Sequence, residues 1–263
     1  MKVQRVLKRA IKSGFGVFGY ELRKIVAAEP VMAGDNRFSS WFDQSKYIPD
    51  KELYRPLFSP WLGGGEFAKY YALAKPKTLV SADRCYVLWV LLRQALGAKG
   101  DIWECGVYQG GTAAMMAAVL SDMKSPKKLF LFDTFEGMPE TDPAKDWHQK
   151  GEFSDTSAEA VASYVGCAEV CTRRKGYMPD SFNGLESAKI AFAHIDVDLN
   201  KSISDCLRFV WPRLSLGGFL VFDDYGFPSC PGARFAVDAF FEGNPCLPLC
   251  LPTGQAIVFK GTI

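Results

Sequence analysis

Residues 189–225, KIAFAHIDVDLNKSISDCLRFVWPRLSLGGFLVFDDY, decide the expected fold of this chain. An apolar run ends at Asp198, a helix-length segment follows from Lys201, and a second apolar run ends at Tyr225. This order predicts two buried parallel strands joined by a helix. The alternation runs from about residue 66 onward, so we predict an α/β, doubly wound, mostly parallel sheet with helices on both faces.

Both strands end in a pair of aspartates, Asp196 and Asp198 on the first and Asp223 and Asp224 on the second. Open α/β sheets bind ligands beyond the carboxyl ends of their strands. Four neighbouring carboxylates repel one another, and a divalent cation is the simplest compensation, with Mg²⁺ or Ca²⁺ favoured over zinc. Asp196 and Asp198 share a face if the strand continues through them, whereas Asp223 and Asp224 converge only if the chain turns at Tyr225-Gly226. Capping and solvation of the strand ends is the alternative.

The stretch ECGVYQGGT, residues 104–112, joins an earlier strand to its helix. Its glycines allow a ligand to approach the backbone, and the helix start offers unsatisfied N–H groups. Glu104 precedes the glycines, which suits a cation or a hydroxyl-bearing ligand better than a pyrophosphate; a turn that serves packing alone is the alternative. Asp133 ends the next strand, where an acid can accept hydrogen bonds from ribose hydroxyls, and Phe135 could cover an adenine face.

Two histidines are candidates for roles in the site. His194 lies two residues before Asp196 and is expected to be a hydrogen-bonded core histidine rather than a catalyst. The polar loop of residues 134–153 has the length and composition of a lid, so Trp147 and His148 are candidates for substrate contact. A simple exposed loop explains the same pattern.

Composition indicates a globular protein with a core. The chain has 263 residues, of which 48% are hydrophobic, and a net charge of +2 that gives no reason to expect nucleic acid as a partner. We divide it into residues 1–65, a basic and irregular N-terminal region, and residues 66–263, the α/β domain. The eight cysteines form no C-x-x-C pair, and only two histidines could join them as zinc ligands, so we interpret them as reduced core residues of a cytoplasmic protein.

Residues 1–24 carry a net charge of +6 and begin as a basic amphipathic helix. Such a helix suits peripheral association with the inner face of an anionic membrane. Packing on its own domain, or on a second subunit of a homo-oligomer, is the favoured alternative. The N-terminus lacks the apolar core of a secretory signal, and no apolar run is long enough to span a membrane.

Several motifs, in order, resemble the macrocin O-methyltransferase family: ECGVYQGGT, DTFEGMP, HIDVDLNKSISDCL and WPRLSLGGFLVFDDY. The resemblance covers about residues 75–260. It implies the class I methyltransferase fold, a Rossmann-like sheet of seven strands. It also implies a sugar O-methyltransferase that depends on S-adenosylmethionine and Mg²⁺.

The resemblance assigns roles by position. Asp196, Asp223 and Asp224 would hold Mg²⁺, with Asp196 also near the cofactor, and Asp198 would be the general base. The methionine part of the cofactor would be surrounded by Glu104, Gly106, Val107 and Tyr108. Asp133 and Phe135 would meet the ribose and adenine, while Thr78, Leu79, Ser157 and Gly176 complete the expected cofactor contacts.

These observations predict a Mg²⁺-dependent S-adenosylmethionine O-methyltransferase that acts on a vicinal diol, with a sugar hydroxyl of a glycan or glycosylated natural product favoured. Three alternatives stay open. The chain could be a catechol-type methyltransferase, or a metal-dependent glycosyltransferase, since DVD is a D-x-D sequence. It could also be a non-catalytic module that binds a membrane surface or a partner.

Overall fold

The computed structural model describes residues 58–261, which form a seven-stranded sheet with helices on both faces. The strands are β1 (Asp101–Cys105), β2 (Leu129–Asp133), β3 (Cys171–Lys175), β4 (Ile190–Ile195), β5 (Leu214–Phe222), β6 (Leu249–Cys250) and β7 (Ala256–Phe259). Their order is β3-β2-β1-β4-β5-β7-β6. The first five strands pair in parallel, and β7 is antiparallel to both β5 and β6. The predicted α/β sheet is therefore confirmed, as a mixed sheet.

Six helices accompany these strands within residues 58–261. They are α1 (Glu66–Ala74), α2 (Ala82–Ala95), α3 (Gly111–Asp122), α4 (Ala158–Val165), α5 (Asn200–Arg213) and α6 (Pro231–Phe241). Ser157 caps α4 by accepting a hydrogen bond from the N–H of Ala160, at 3.1 Å. Asp180–Phe182 forms a single 3-10 turn.

The core has two layers, one on each face of the sheet. Buried side chains of α1 to α4 pack on one face, and those of α5 and α6 pack on the other. Strand β2 shows how one element serves both layers, because Leu129 and Leu131 belong to the first layer and Phe132 to the second. This sandwich fixes the carboxyl ends of the parallel strands at one edge of the sheet.

One strand was not expected from the sequence, and one predicted region lies outside the described residues. Strand β6 was not expected, because it has only two residues and both are exposed; its register with Ala256 and Ile257 defines it. The basic segment 1–24, and the predicted region 1–65 up to residue 57, lie outside the described residues.

Two further expectations can be compared with residues 58–261. All eight cysteines lie in this range and are free thiols, and four of them are buried. None of the helices found there combines the length and the apolar character that crossing a membrane requires.

Candidate active site

The carboxyl ends of the parallel strands open into one cavity of about 620 Å³. Loops that follow β1, β2, β4 and β5 line it, as expected for an open α/β sheet. Ten of the predicted site residues line this cavity: Thr78, Leu79, Gly106, Val107, Tyr108, Asp133, Asp196, Asp198, Asp223 and Asp224. The structure thus brings the glycine turn and the four aspartates together.

The glycine turn after β1 lies directly against the loop that carries Asp196. Gly106 has a φ of 85°, and a Cβ atom placed on it would lie 1.7 Å from the carbonyl oxygen of Asp196. The N–H of Asp196 donates to the carbonyl of Cys105 at 2.8 Å. The close approach therefore requires a residue without a side chain, and it links the turn to the first aspartate pair.

Asp133 uses its carboxylate to hold the same turn. Oδ2 accepts hydrogen bonds from the N–H groups of Val107, at 2.6 Å, and Tyr108, at 3.0 Å, while Oδ1 accepts from Phe135 at 2.7 Å. The hydroxyl of Thr134 also lies within 3.4 Å of Oδ1, so four donors surround this carboxylate. Contact with a ribose remains a prediction for Asp133.

Four predicted cofactor residues do not line the cavity. Glu104 is fully buried and contacts His194, and Phe135 is 2% exposed within the core. Ser157 caps α4, and the N–H of Gly176 donates to the carbonyl of Asp133 at 2.9 Å. In this structure these four residues contact other parts of the fold and do not line the cavity.

The two aspartate pairs enter the cavity from loops rather than from strands. β4 ends at Ile195 and Asp198 has a left-handed φ of 53°, so the strand does not continue through Asp196 and Asp198, although both line the cavity. β5 ends at Phe222 and the chain turns at Tyr225-Gly226, as the sequence indicated. The N–H of Phe227 closes that turn on the carbonyl of Asp224 at 3.2 Å, and the N–H of Gly226 donates to the carbonyl of Gly254 at 2.7 Å.

Asp223 is buried, 1% exposed, and surrounded by donors. Arg84 forms an ion pair with Oδ2, Gln255 donates to Oδ1 at 2.8 Å, and His194 lies 3.4 Å from Oδ1. Burial alone would raise the pKa of Asp223, but the contacts with His194 and Arg84 outweigh it and hold that pKa below its ordinary value. Sequence reasoning missed Arg84, which lies 139 residues away along the chain and carries no local signal.

At the other three aspartates, favourable contacts do not offset burial and repulsion. Burial, together with repulsion from neighbouring carboxylates, raises the pKa of both Asp196 and Asp224 well above the ordinary value. The same causes raise the pKa of Asp198 to about 7. Oδ2 of Asp224 is buried and has no hydrogen-bond partner. An unpartnered carboxylate oxygen among other acids fits a cation.

His194 is the buried, hydrogen-bonded histidine that the sequence favoured. Its Nδ1 lies 3.1 Å from Oε1 of Glu104, and its Nε2 faces Asp223. Burial alone would lower the pKa of His194, but the hydrogen bonds to Asp223 and Glu104 outweigh it and place that pKa well above its ordinary value. The ring therefore links two strands beneath the cavity and does not line it.

His148 reaches the site from the loop after β2, whereas Trp147 is not among the cavity-lining residues. The Nδ1 atom of His148 lies 2.6 Å from Oε2 of Glu152, and its Nε2 atom faces Asp198 and Cys230. The thiol of Cys230 donates to Oδ1 of Asp198 at 3.2 Å, and burial raises the pKa of this thiol. Sequence reasoning treated Cys230 as an ordinary core cysteine, because its partners are distant in the chain.

The fold is that of known O-methyltransferases. The structure of the O-methyltransferase NovP superposes with a TM-score of 0.63 at 21% identity, covering 71% of this chain and 83% of that one. The sequence then narrows the class. The profile of the macrocin O-methyltransferase (TylF) family matches residues 77–245, more than half of the chain, and the chain belongs to this family.

Two characterised relatives show the activities found among similar sequences. The 8-demethyl-8-(2,3-dimethoxy-α-L-rhamnosyl)-tetracenomycin-C 4′-O-methyltransferase of Streptomyces olivaceus is 31% identical over 149 residues, 52% of this chain and 57% of that protein. The mycinamicin III 3″-O-methyltransferase of Micromonospora griseorubida is 29% identical over 170 residues, 58% of this chain and 66% of that protein. The chain therefore spans less than two thirds of the length of the first of these relatives.

Proposed function

We propose that this protein transfers a methyl group from S-adenosylmethionine to one hydroxyl of a vicinal diol, with Mg²⁺ as the metal. The observation that carries the proposal is the meeting of the four aspartates and the glycine turn in one cavity of about 620 Å³. Membership of the macrocin O-methyltransferase family supports methyl transfer over the glycosyltransferase and non-catalytic alternatives.

The metal would be held by Asp196, Asp223 and Asp224. The buried, unpartnered Oδ2 of Asp224 and the raised pKa of Asp196 both fit a site that a hard cation completes. Asp223 already contacts Arg84, so we expect Asp196 and Asp224 to contribute most of the metal affinity. When bound, Mg²⁺ would lower the pKa of a coordinated hydroxyl and stabilise the alkoxide.

Asp198 is the proposed general base. It lines the cavity with the other acids, yet it is not needed as a ligand if the remaining three bind the metal. Burial and the charge of Asp196 raise its pKa to about 7, which suits a group that must accept a proton near neutral pH. Its carboxylate would take the proton of the attacking hydroxyl.

The methyl donor would occupy the half of the cavity formed by the glycine turn. Gly106, Val107 and Tyr108 line it there, and Asp133 holds the N–H groups of Val107 and Tyr108 in place. Thr78 and Leu79 line the same cavity from the segment before α2. These residues would orient the donor toward the diol, and orientation is a large part of the rate advantage in a two-substrate transfer.

The relatives support a sugar as the acceptor class. One of them is named for a tetracenomycin that carries a rhamnosyl group, so we propose a sugar of a glycan or a glycosylated natural product. A catechol presents the same pair of neighbouring hydroxyls and stays the second candidate. The four carboxylates would recognise either diol, and an acceptor screen separates the two.

The test is an acceptor screen with labelled S-adenosylmethionine, run over sugar diols and catechols, with and without Mg²⁺. We expect labelling of a sugar that stops when a chelator is added. Asp198→Asn should abolish turnover while S-adenosylhomocysteine binding, measured by calorimetry, stays near that of the unaltered protein. Turnover by the Asp198→Asn variant would remove the base assignment, and binding of UDP-sugars in place of the adenosyl ligand would favour a glycosyltransferase.

A further inference from the structure

Three chemically different ligand atoms converge on the wall of the cavity. The Nε2 atom of His148 lies 3.6 Å from Sγ of Cys230 and 3.9 Å from Oδ1 of Asp198, and that oxygen lies 3.2 Å from the sulfur. The three residues come from the loop after β2, the loop after β4 and the residue before α6. Folding therefore brings together a nitrogen, an oxygen and a sulfur donor that no sequence motif indicates.

These distances are close to the edges of a tetrahedral zinc site. Zinc binds thiolate sulfur at about 2.3 Å and imidazole nitrogen or carboxylate oxygen at about 2.0–2.2 Å, so ligand atoms lie roughly 3.3–3.6 Å apart. The three observed separations of 3.2, 3.6 and 3.9 Å bracket that range. Small side-chain rotations would bring all three atoms into the first coordination sphere.

His148 is also oriented as a zinc ligand usually is. Its Nδ1 atom lies 2.6 Å from the Glu152 carboxylate, which fixes the tautomer that leaves the Nε2 lone pair free. Carboxylate–histidine pairs of this kind orient the ring and raise its basicity in zinc proteins. The contact is therefore an observation independent of the three ligand distances.

We propose that His148, Asp198 and Cys230 form a site for Zn²⁺ or a similarly thiophilic divalent ion, with its remaining position open to the cavity. This site contains a soft sulfur ligand, whereas the set proposed for Mg²⁺ consists of oxygen atoms alone. Zn²⁺ therefore favours the first site and Mg²⁺ the second. When the metal ion binds, it takes the place of the proton in the hydrogen bond from the Cys230 thiol to Asp198. That proton leaves to solvent, a bond forms between the thiolate and the metal, and no oxidation state changes.

The consequence for catalysis rests on the proposed function. A zinc ion on Asp198 occupies the carboxylate that would act as the base, and it narrows the cavity beside the acceptor. Zinc is therefore expected to inhibit methyl transfer even when Mg²⁺ is saturating. Such inhibition would make the enzyme responsive to free zinc.

The binding test does not depend on activity. The full chain, freed of metal with a chelator, is titrated with Co²⁺, whose bond to a thiolate gives a charge-transfer absorption. We expect the band to saturate at one equivalent, to be lost on addition of Zn²⁺ and to survive excess Mg²⁺. Cys230→Ser should lack the band, whereas the exposed control Cys250→Ser should keep it.

Two further variants protect the test against a folding failure of Cys230→Ser. Glu152→Gln leaves all three ligands in place and should weaken zinc binding by about 10–100-fold in calorimetry. His148→Gln should weaken it further, and circular dichroism verifies the fold of each variant. A cobalt band that persists in Cys230→Ser, or zinc affinities of His148→Gln and Glu152→Gln equal to that of the unaltered protein, would overturn the proposal.

An activity measurement tests whether zinc bound at this site inhibits methyl transfer, separately from whether zinc binds there. The zinc concentration that halves the rate at saturating Mg²⁺ should rise in Glu152→Gln by the same factor as its dissociation constant, each variant being normalised to its own zinc-free rate. Zinc binding at the three residues without inhibition would support the site and count against Asp198 as the base. Loss of the cobalt band in Cys250→Ser would count against the site itself.

Discussion

At the scale of single residues, the adjacent acids Asp223 and Asp224 have opposite environments. Asp223 is neutralised by Arg84, whose side chain is only 12% exposed, whereas Oδ2 of Asp224 is buried without a partner. We expect Asp223→Asn to lower the free energy of unfolding by about 3 kcal/mol, because it leaves a mostly buried guanidinium unpaired. Asp224→Asn should not lower it in metal-free protein, because it relieves repulsion. Urea unfolding in a chelator measures both.

The same pair tests whether Asp224 contributes more to metal affinity than Asp223, which Arg84 already neutralises. Saturating Mg²⁺ binds the native state and should stabilise the unaltered protein against urea. This gain should largely vanish in Asp224→Asn, although that variant is stable without metal. Equal destabilisation of the two variants in chelator would show that Asp224 is compensated by contacts other than a cation.

At the scale of elements, the turn after β1 and the loop after β4 depend on one glycine. Gly106→Ala is destabilising for two reasons. The backbone there has a left-handed φ of 85°, and the added Cβ atom would lie 1.7 Å from the Asp196 carbonyl oxygen. Gly151 is the matched control, because its φ is 84° and an added Cβ meets nothing within 4 Å. We expect Gly151→Ala to cost about 1–2 kcal/mol of unfolding free energy, from the backbone alone.

Gly106→Ala should cost clearly more than this control, and it should also weaken binding of S-adenosylhomocysteine, since the displaced turn carries Val107 and Tyr108. Urea unfolding and calorimetry on both variants provide the comparison. Equal losses of stability in the two variants would mean that the contact between the turn and the Asp196 loop is not a constraint on the fold.

The features predicted correctly from the sequence are those that residues close together in the chain determine. Apolar runs located the parallel strands, and the acids at their ends located the cavity, because strand ends meet at one edge in any sheet of this kind. The strand argument failed beyond Ile195, where the left-handed Asp198 redirects the chain, and it failed for β6, a two-residue strand. Contacts between distant segments, such as Arg84 with Asp223 or His148 with Cys230, leave no local pattern and required the structure.

At the scale of the whole molecule, the two-layer core holds the strand ends rigidly while the acids at those ends repel one another. Packing on both faces prevents β4 and β5 from separating, so Asp196 and Asp224 relieve their repulsion by retaining protons. The folded domain therefore holds this group of acids together at the expense of its own electrostatic energy. If these acids bind Mg²⁺ as proposed, metal binding, proton release and stability are parts of one equilibrium.

That equilibrium predicts how magnesium binding depends on pH. Because the pKa values of Asp196 and Asp224 are raised in the folded protein, both acids hold protons above the ordinary carboxyl range, and Mg²⁺ must displace them. The gain in unfolding free energy on adding Mg²⁺ should therefore grow as pH rises above about 5, by up to about 1.4 kcal/mol per pH unit for each proton displaced. Groups that titrate equally in both states, with and without metal, cancel in this difference.

Calorimetry in buffers of different ionisation enthalpy counts the protons that Mg²⁺ binding releases, and Asp196→Asn should release fewer. A magnesium effect that is constant across this pH range would mean that the ion binds away from these acids.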